Sequence, residues 1–171
     1  MAAAFDHSWR LLNARPQSIL RQLSVFHGGC TAVAAEAVTG APAADLEELI
    51  DASWLRVDAQ GRYRLHELTR QYCEEKLQTE HAPHCGETPD QVRDRHAAYY
   101  RSLLLARQGE LYRRPGILTE MAPEYDNLVA AWRWFVATDV CEAARTYPLN
   151  NPGKRRSQTA YEPAFRGSAT P

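Results

Sequence analysis

Apolar residues recur every three or four positions through most of this chain, which predicts a succession of short helices. In FDHSWRLLN, Phe5, Trp9 and Leu12 fall on one helical face. Pro16 opens a second helix, PQSILRQLSVF, whose stripe is Ile19, Leu20, Leu23 and Phe26, and Gly28-Gly29 ends it. Thr31 has the chemistry of an N-cap for the alanine-rich TAVAAEAVT, and Gly40-Ala41-Pro42 stops that helix. A fourth helix is expected over Ala43 to Ser53, with Leu46, Leu49 and Ile50 pointing inward.

The period then changes from 3.6 to 2. LRVD, AQG and RYRLH carry the signal of a β-hairpin with a three-residue loop ending in Gly61, the residue best suited to a left-handed turn position. Pairing Asp58 with Arg62 sets Arg56 opposite Arg64, Val57 opposite Tyr63, Leu55 opposite Leu65 and Trp54 opposite His66. One face of the hairpin is then apolar and the other cationic, with Arg62 and His66 beside the two paired arginines. A trihelical core followed by such a hairpin is the layout of a winged helix.

Beyond the hairpin, ELTRQYCEEKLQ continues as a helix with Leu68, Tyr72 and Leu77 on its inner side. QVRDRHAAYYRSLLLARQGEL repeats helically through Val92, His96, Tyr99 and Leu103. In ILTEMAPEYDNLVAAWRWFVATDV the apolar positions Leu118, Met121, Tyr125, Leu128, Trp132 and Phe135 imply packing against a neighbour, and Pro123 marks the first turn. The fold class read from this pattern is mainly α. It comprises a winged helix over residues 1–80, a linker over 81–90, a helical hairpin over 91–140 and a disordered basic tail over 141–171.

Charge sharpens the division. The 171 residues carry a formal net charge of −1, yet residues 1–140 sum to −4 and residues 141–171 to +3. The tail segment, rich in proline and without apolar periodicity, lacks the hydrophobic content to offset its ordering entropy. No stretch approaches the roughly 20 apolar residues of a membrane span. The start MAAAFDHSWR lacks the basic flank and apolar core of a secretory signal, so a soluble, cytoplasmic protein is expected.

Candidate chemistry is sparse. A DNA-reading winged helix needs a cationic third helix, but ADLEELIDASW carries Asp45, Glu47, Glu48 and Asp51 and no Lys or Arg; direct DNA binding by it is disfavoured. The hairpin is the opposite case: Arg56 and Arg64 repel one another across the strands and, with Arg62 and His66, invite an anion unless Asp58 and nearby glutamates neutralise them. Cys73, His81, His84, Cys85 and His96 crowd together in sequence but match no common zinc spacing, so no metal is expected. No P-loop, nucleophile elbow or H-E-x-x-H motif occurs, and no catalytic activity is expected. The four cysteines contain no C-x-x-C pair, which fits reduced thiols.

SWRLL, LSVFHGGCTAVAAEAV, LEELIDASWLRVD, GRYRLHELTRQYCEEKL and EYDNLVAAWRW together resemble a segment of bacterial STAND regulators, signal-transduction ATPases with an NB-ARC-like core. The resemblance spans about residues 5–138. It implies a winged helix followed by the first tetratricopeptide-like helices, in a transcriptional or signalling regulator of which this chain is a fragment. Leu65-His66-Glu67 is similar to the Met-His-Asp motif of that class, which implies that His66, with Arg64 and Arg56 near it, faces a nucleotide phosphate. Glu67 departs from the motif's aspartate. The ATP or ADP would be held by an ATPase domain on another polypeptide, since no cofactor site is expected here. A further protein ligand is expected on the helical region around Trp132 and Phe135. The rival reading is a stand-alone DNA-binding winged helix that uses its basic hairpin.

Overall fold

A computed structural model describes residues 2–79, 88–111 and 113–146. It is mainly helical: α1 (Ala2–Leu11), α2 (Ala14–Leu23), α3 (Ala32–Thr39), α4 (Ala43–Asp51), the strands β1 (Arg56–Val57) and β2 (Tyr63–Arg64), α5 (Glu67–Thr79), α6 (Pro89–Leu111), α7 (Ile117–Met121), a 3-10 turn (Ala122–Glu124) and α8 (Tyr125–Thr146). Among the described residues no helix is long and apolar enough to cross a membrane. The described residues up to Ala137 form one compact unit, and those from Thr138 to Thr146 fall in a second.

Local chemistry sets the helix ends. Thr31 caps α3 as expected, its side chain accepting from the Ala34 amide at 3.2 Å. Gly40 closes the same helix in the left-handed region, φ 66°, donating to the Glu36 carbonyl. Pro16 lies inside the first turn of α2, where a missing N–H costs nothing. At α6 the Thr88 hydroxyl accepts from the Gln91 amide while the Gln91 side chain accepts from the Thr88 amide, a reciprocal capping box ahead of Pro89. Thr88, Pro89 and Asp90, expected in the linker, therefore belong to the start of α6.

One hydrophobic core runs from Trp9 to Ala131 and draws on every helix but α7. Leu20, Leu23, Leu46, Leu49, Leu55, Cys73, Val92, Ala97 and Tyr100 are all at or below 2% exposure. Trp9 meets Trp54 and Tyr72 edge to face, at centroid distances of 5.9 and 5.6 Å, which ties α1 to α5. Residues 1–80 and 91–137, expected as separate pieces, thus share their interior. α5 lies on α2, and α6 lies on α3.

The hairpin has the expected register, Arg56 opposite Arg64 and Val57 opposite Tyr63. Its ladder stops there, so the expected pairings of Leu55 with Leu65 and Trp54 with His66 lie outside it. Instead Tyr63 takes a second partner. It exchanges both backbone hydrogen bonds with Cys30, at 2.9 and 2.8 Å, which draws β2 against the Gly28-Gly29 loop.

Four expectations are corrected. Leu68 is 43% exposed, because α5 turns its Thr69–Tyr72–Cys73–Leu77 side inward and leaves Leu68 on its flank. The segment from Ile117 onward is not one helix: the 3-10 turn containing Pro123 separates α7 from α8. Of its expected stripe, Leu118, Tyr125 and Trp132 are 65–72% exposed, while Ile117, Asn127 and Ala131 are buried. Residues 141–146, expected in the disordered tail, belong to α8; residues 147–171 lie outside the described residues, as do 80–87 of the expected linker.

Gly29 is the most closely packed of the described glycines. Its φ is +87°, and a Cβ there would sit 2.6 Å from the Tyr63 carbonyl oxygen and 2.7 Å from Cγ of Arg64. Gly40 has a similar φ but open space around it. Gly29→Ala should therefore cost about 3 kcal/mol or more, strain and displacement combined, and Gly40→Ala only about 1 kcal/mol. Urea denaturation of both variants checks the difference.

Candidate functional site

The hairpin face is organised by Asp58. One of its carboxylate oxygens accepts from the amides of Gln60 (2.9 Å) and Arg62 (3.0 Å), and the other from Nε of Arg64 (2.7 Å). These bonds, the Arg62 amide foremost, hold the carboxyl below its usual range. The same residue thus closes the turn and neutralises one of the two facing arginines. Arg56 is exposed and has no hydrogen bond or ion pair from its side chain among the described residues.

His66 is exposed and serves as the N-terminal cap of α5. Its Nδ1 accepts from the Leu68 amide at 3.3 Å and its carbonyl accepts from the Arg70 amide. With Nδ1 occupied as an acceptor, the neutral ring carries its proton on Nε2. Glu67, next to it, takes both oxygens into bonds with Arg70 at 2.9 Å and accepts from Gln71 as well. The Arg70 hydrogen bonds, the largest influence, hold its carboxyl down to about 2.

Between the hairpin and the Gly28-Gly29 loop lies a cavity of about 220 Å³. Leu23, Phe26, Leu55, Tyr63 and Leu65 supply its apolar wall, and Arg64, Glu67 and Arg70 its charged groups. Of the three residues expected to face a phosphate, Arg64 reaches this cavity, whereas Arg56 and His66 are not among its lining residues.

Arg62 departs from the expected cationic face. It is 6% exposed and turned inward, where its guanidinium pairs with Glu124 and donates to the carbonyls of Gly29 (3.1 Å) and Pro123 (3.2 Å). The two-residue ladder is too short to impose strand alternation on its neighbours, and Glu124 attracts the charge from the other side. The Tyr100 hydroxyl donates to Glu124 at 2.8 Å. Asn127 donates to the Gly29 carbonyl (2.9 Å) and accepts from the His27 amide (2.7 Å). His96 lies 3.5 Å from the same Asn127 oxygen. Burial raises the Glu124 carboxyl, but the Arg62 and Tyr100 hydrogen bonds outweigh it and leave it below its ordinary value. Burial pushes His96 down to about 4.

This polar network escaped the sequence reading. Its only signals were a histidine and an asparagine at positions where the helical period calls for apolar residues.

The metal-like cluster is not assembled among the described residues: no group of three His, Cys, Asp or Glu converges. Cys73 is fully buried in the core and His96 belongs to the network above, while His81, His84 and Cys85 lie outside the described residues. Burial lifts the thiols of Cys30 and Cys73 to about 12, which removes their thiolate reactivity.

Removing one member of a buried ion pair strands the other. Glu124→Ala and Arg62→Ala should each cost about 3–5 kcal/mol, and the double variant well under the sum of the two; a double-mutant cycle in urea measures the coupling. His96 gives a pH signature. Its folded value near 4 lies below the ordinary 6.5, so between those values the unfolded chain binds more protons. Stability should fall by about 3 kcal/mol as pH drops from 6.5 to 4 and then level off. His27, also lowered by burial, adds in the same direction. His96→Gln should flatten that slope in thermal melts taken across the window.

Compared with known proteins, the chain matches no family model, no curated protein and no solved structure.

Proposed function

We propose that this chain is a non-catalytic regulatory module of a STAND-type signal-transduction regulator, in which residues 1–80 form a winged helix. Its hairpin face would couple the nucleotide state of a separate ATPase domain to effector or repeat domains. Support for the winged helix comes from the succession α2–α3–α4–hairpin and from the contact of β2 with Cys30, which gives the hairpin a third extended segment. The observation that carries the functional reading is the unequal neutralisation of the facing arginines. Asp58 holds Arg64, whereas Arg56 stands exposed without an acidic partner among the described residues, and His66, two residues past Arg64, is exposed as well.

A solvent-facing guanidinium opposite a second one favours an anion supplied from outside. In this reading Arg56 and the Nε2–H of His66 donate to the phosphate edge of a nucleotide bound elsewhere. ATP and ADP are then ligands of the partner. Glu67 plays a local part, tying Arg70 into α5 rather than addressing the ligand.

The DNA-binding alternative fares less well on charge. α4 presents Glu47, Glu48 and Asp51 to solvent, and Asp45 is already paired with Arg15. Carboxylates on the groove-reading helix oppose counterion release.

The test is reconstitution. The full chain, immobilised, should retain from its source cells a protein bearing G-x-x-x-x-G-K-[ST], and retention should differ between ADP and ATP. With that protein purified, Arg56→Ala and His66→Ala should each weaken the complex by about tenfold in the favoured nucleotide state. Absence of any nucleotide-sensitive P-loop partner counts against the proposal. Salt-sensitive binding to duplex DNA that survives deletion of residues 141–171 would favour the alternative.

A further inference from the structure

α8 is apolar on two sides of its axis. The inner side carries the buried Asn127 and Ala131, with Leu128, Trp134 and Phe135 partly buried against the core. On another side Tyr125, Trp132 and Val136 are 65%, 70% and 45% exposed, and the half-buried Val129 lies between them. These four residues are spaced by four, three and four positions, the alternation of a coiled-coil seam. Tyr125 and Trp132 take one kind of seam position, and the β-branched Val129 and Val136 the other.

The edge of this seam is charged in a particular way. Asp126 and Arg133 lie seven residues apart along one flank, both exposed, and among the described residues neither is held in an ion pair or hydrogen bond. About 10 Å of helix rise separates them, so they do not reach each other. The opposite flank, Leu128 and Phe135, is apolar.

We infer that this face pairs with the same face of a second copy of the chain, the two α8 helices running antiparallel about a two-fold axis near Ala130 and Ala131. In that arrangement Val129 of each copy opposes Trp132 of the other, and Tyr125 opposes Val136. Asp126 of each copy meets Arg133 of the other, so both stranded charges are matched twice over. A parallel pair leaves them unmatched, because each charged flank then lies against the apolar Leu128–Phe135 flank. Self-complementarity of charge therefore selects both the partner and the direction.

Burying the exposed parts of two Tyr125 and two Trp132 rings removes on the order of 500 Å² from water. Val129, Val136 and the flanks bring the contact toward the roughly 1,000 Å² of a specific interface. This pairing uses no residue of the hairpin and requires no nucleotide-bound partner.

Sedimentation equilibrium of the full chain under reducing conditions tests it. Wild type should reversibly dimerise in the micromolar range. Asp126→Arg and Arg133→Asp should each weaken the dimer by about tenfold, since each creates two like-charge contacts. The double variant Asp126→Arg/Arg133→Asp should return to within about threefold of wild type. Trp132→Ser should yield a monomer with an unchanged far-ultraviolet spectrum and an unchanged denaturation midpoint at dilutions where wild type is monomeric. A wild type that stays monomeric throughout, a double variant no better than its parents, or a dimer indifferent to Trp132→Ser would each overturn the inference.

Discussion

The buried charge of Arg62 is the constraint around which the rest of the chain is arranged. A guanidinium at 6% exposure requires a carboxylate and further acceptors. Glu124, the Gly29 carbonyl and the Pro123 carbonyl provide them from two separate stretches of chain. The demand fixes several things at once. β2 must approach the Gly28-Gly29 loop closely, which only a residue without Cβ permits at position 29. The chain before α8 must present Glu124 and a free carbonyl together, which the proline-containing 3-10 turn does. Tyr100 and Asn127 complete the carboxylate's and the loop's hydrogen bonding, so α6 and α8 are positioned relative to the hairpin by polar geometry. Among the described residues Nε of Arg62 remains without a partner, at a cost of about 1–3 kcal/mol. The network is therefore better understood as specifying one arrangement than as a net source of stability.

The legible parts of the fold were those where local chemistry decides alone. Thr31 as a cap, Gly40 as a stop, Gly61 in the left-handed turn, φ 74°, and the facing of Arg56 with Arg64 follow from short-range rules. The illegible parts depend on partners distant in sequence. Strand alternation places Arg62 with Arg64, but Glu124, sixty-two residues on, turns it inward. Leu68 and Leu118 fit a helical stripe yet lie on the outside, because their helices are oriented by other residues. His96 and Asn127 read as interruptions in an apolar pattern, and only the assembled core shows that they answer each other and the loop amide of His27.

The candidate site divides in the same way. The cationic character of the hairpin and the moderating role of Asp58 are local and were readable. The cavity beside it is formed by residues of α2, the glycine loop, the hairpin and α5, which no spacing in the sequence brings together. Arg64 is drawn toward that cavity and to Asp58, while Arg56 is left in solvent. Two residues equivalent in the sequence pattern thus have different electrostatic roles, and the difference comes from the side of the turn on which the single acid falls.

The orientation of α8 shows how these constraints compete. Turning the helix so that Tyr125 and Trp132 entered the core would gain burial of two rings, about 2–3 kcal/mol each. The same rotation would carry Asn127 outward and displace Glu124. Arg62 would be left as an unpaired buried cation, at about 3–5 kcal/mol. The His27 amide, the Gly29 carbonyl and the Tyr100 hydroxyl would each lose a partner, at about 1–3 kcal/mol apiece. The polar losses exceed the apolar gain, so the side of α8 that carries Asn127 faces inward. The Tyr125–Trp132 seam is left on the surface because the hydrogen-bonding requirement of Arg62 outweighs its burial.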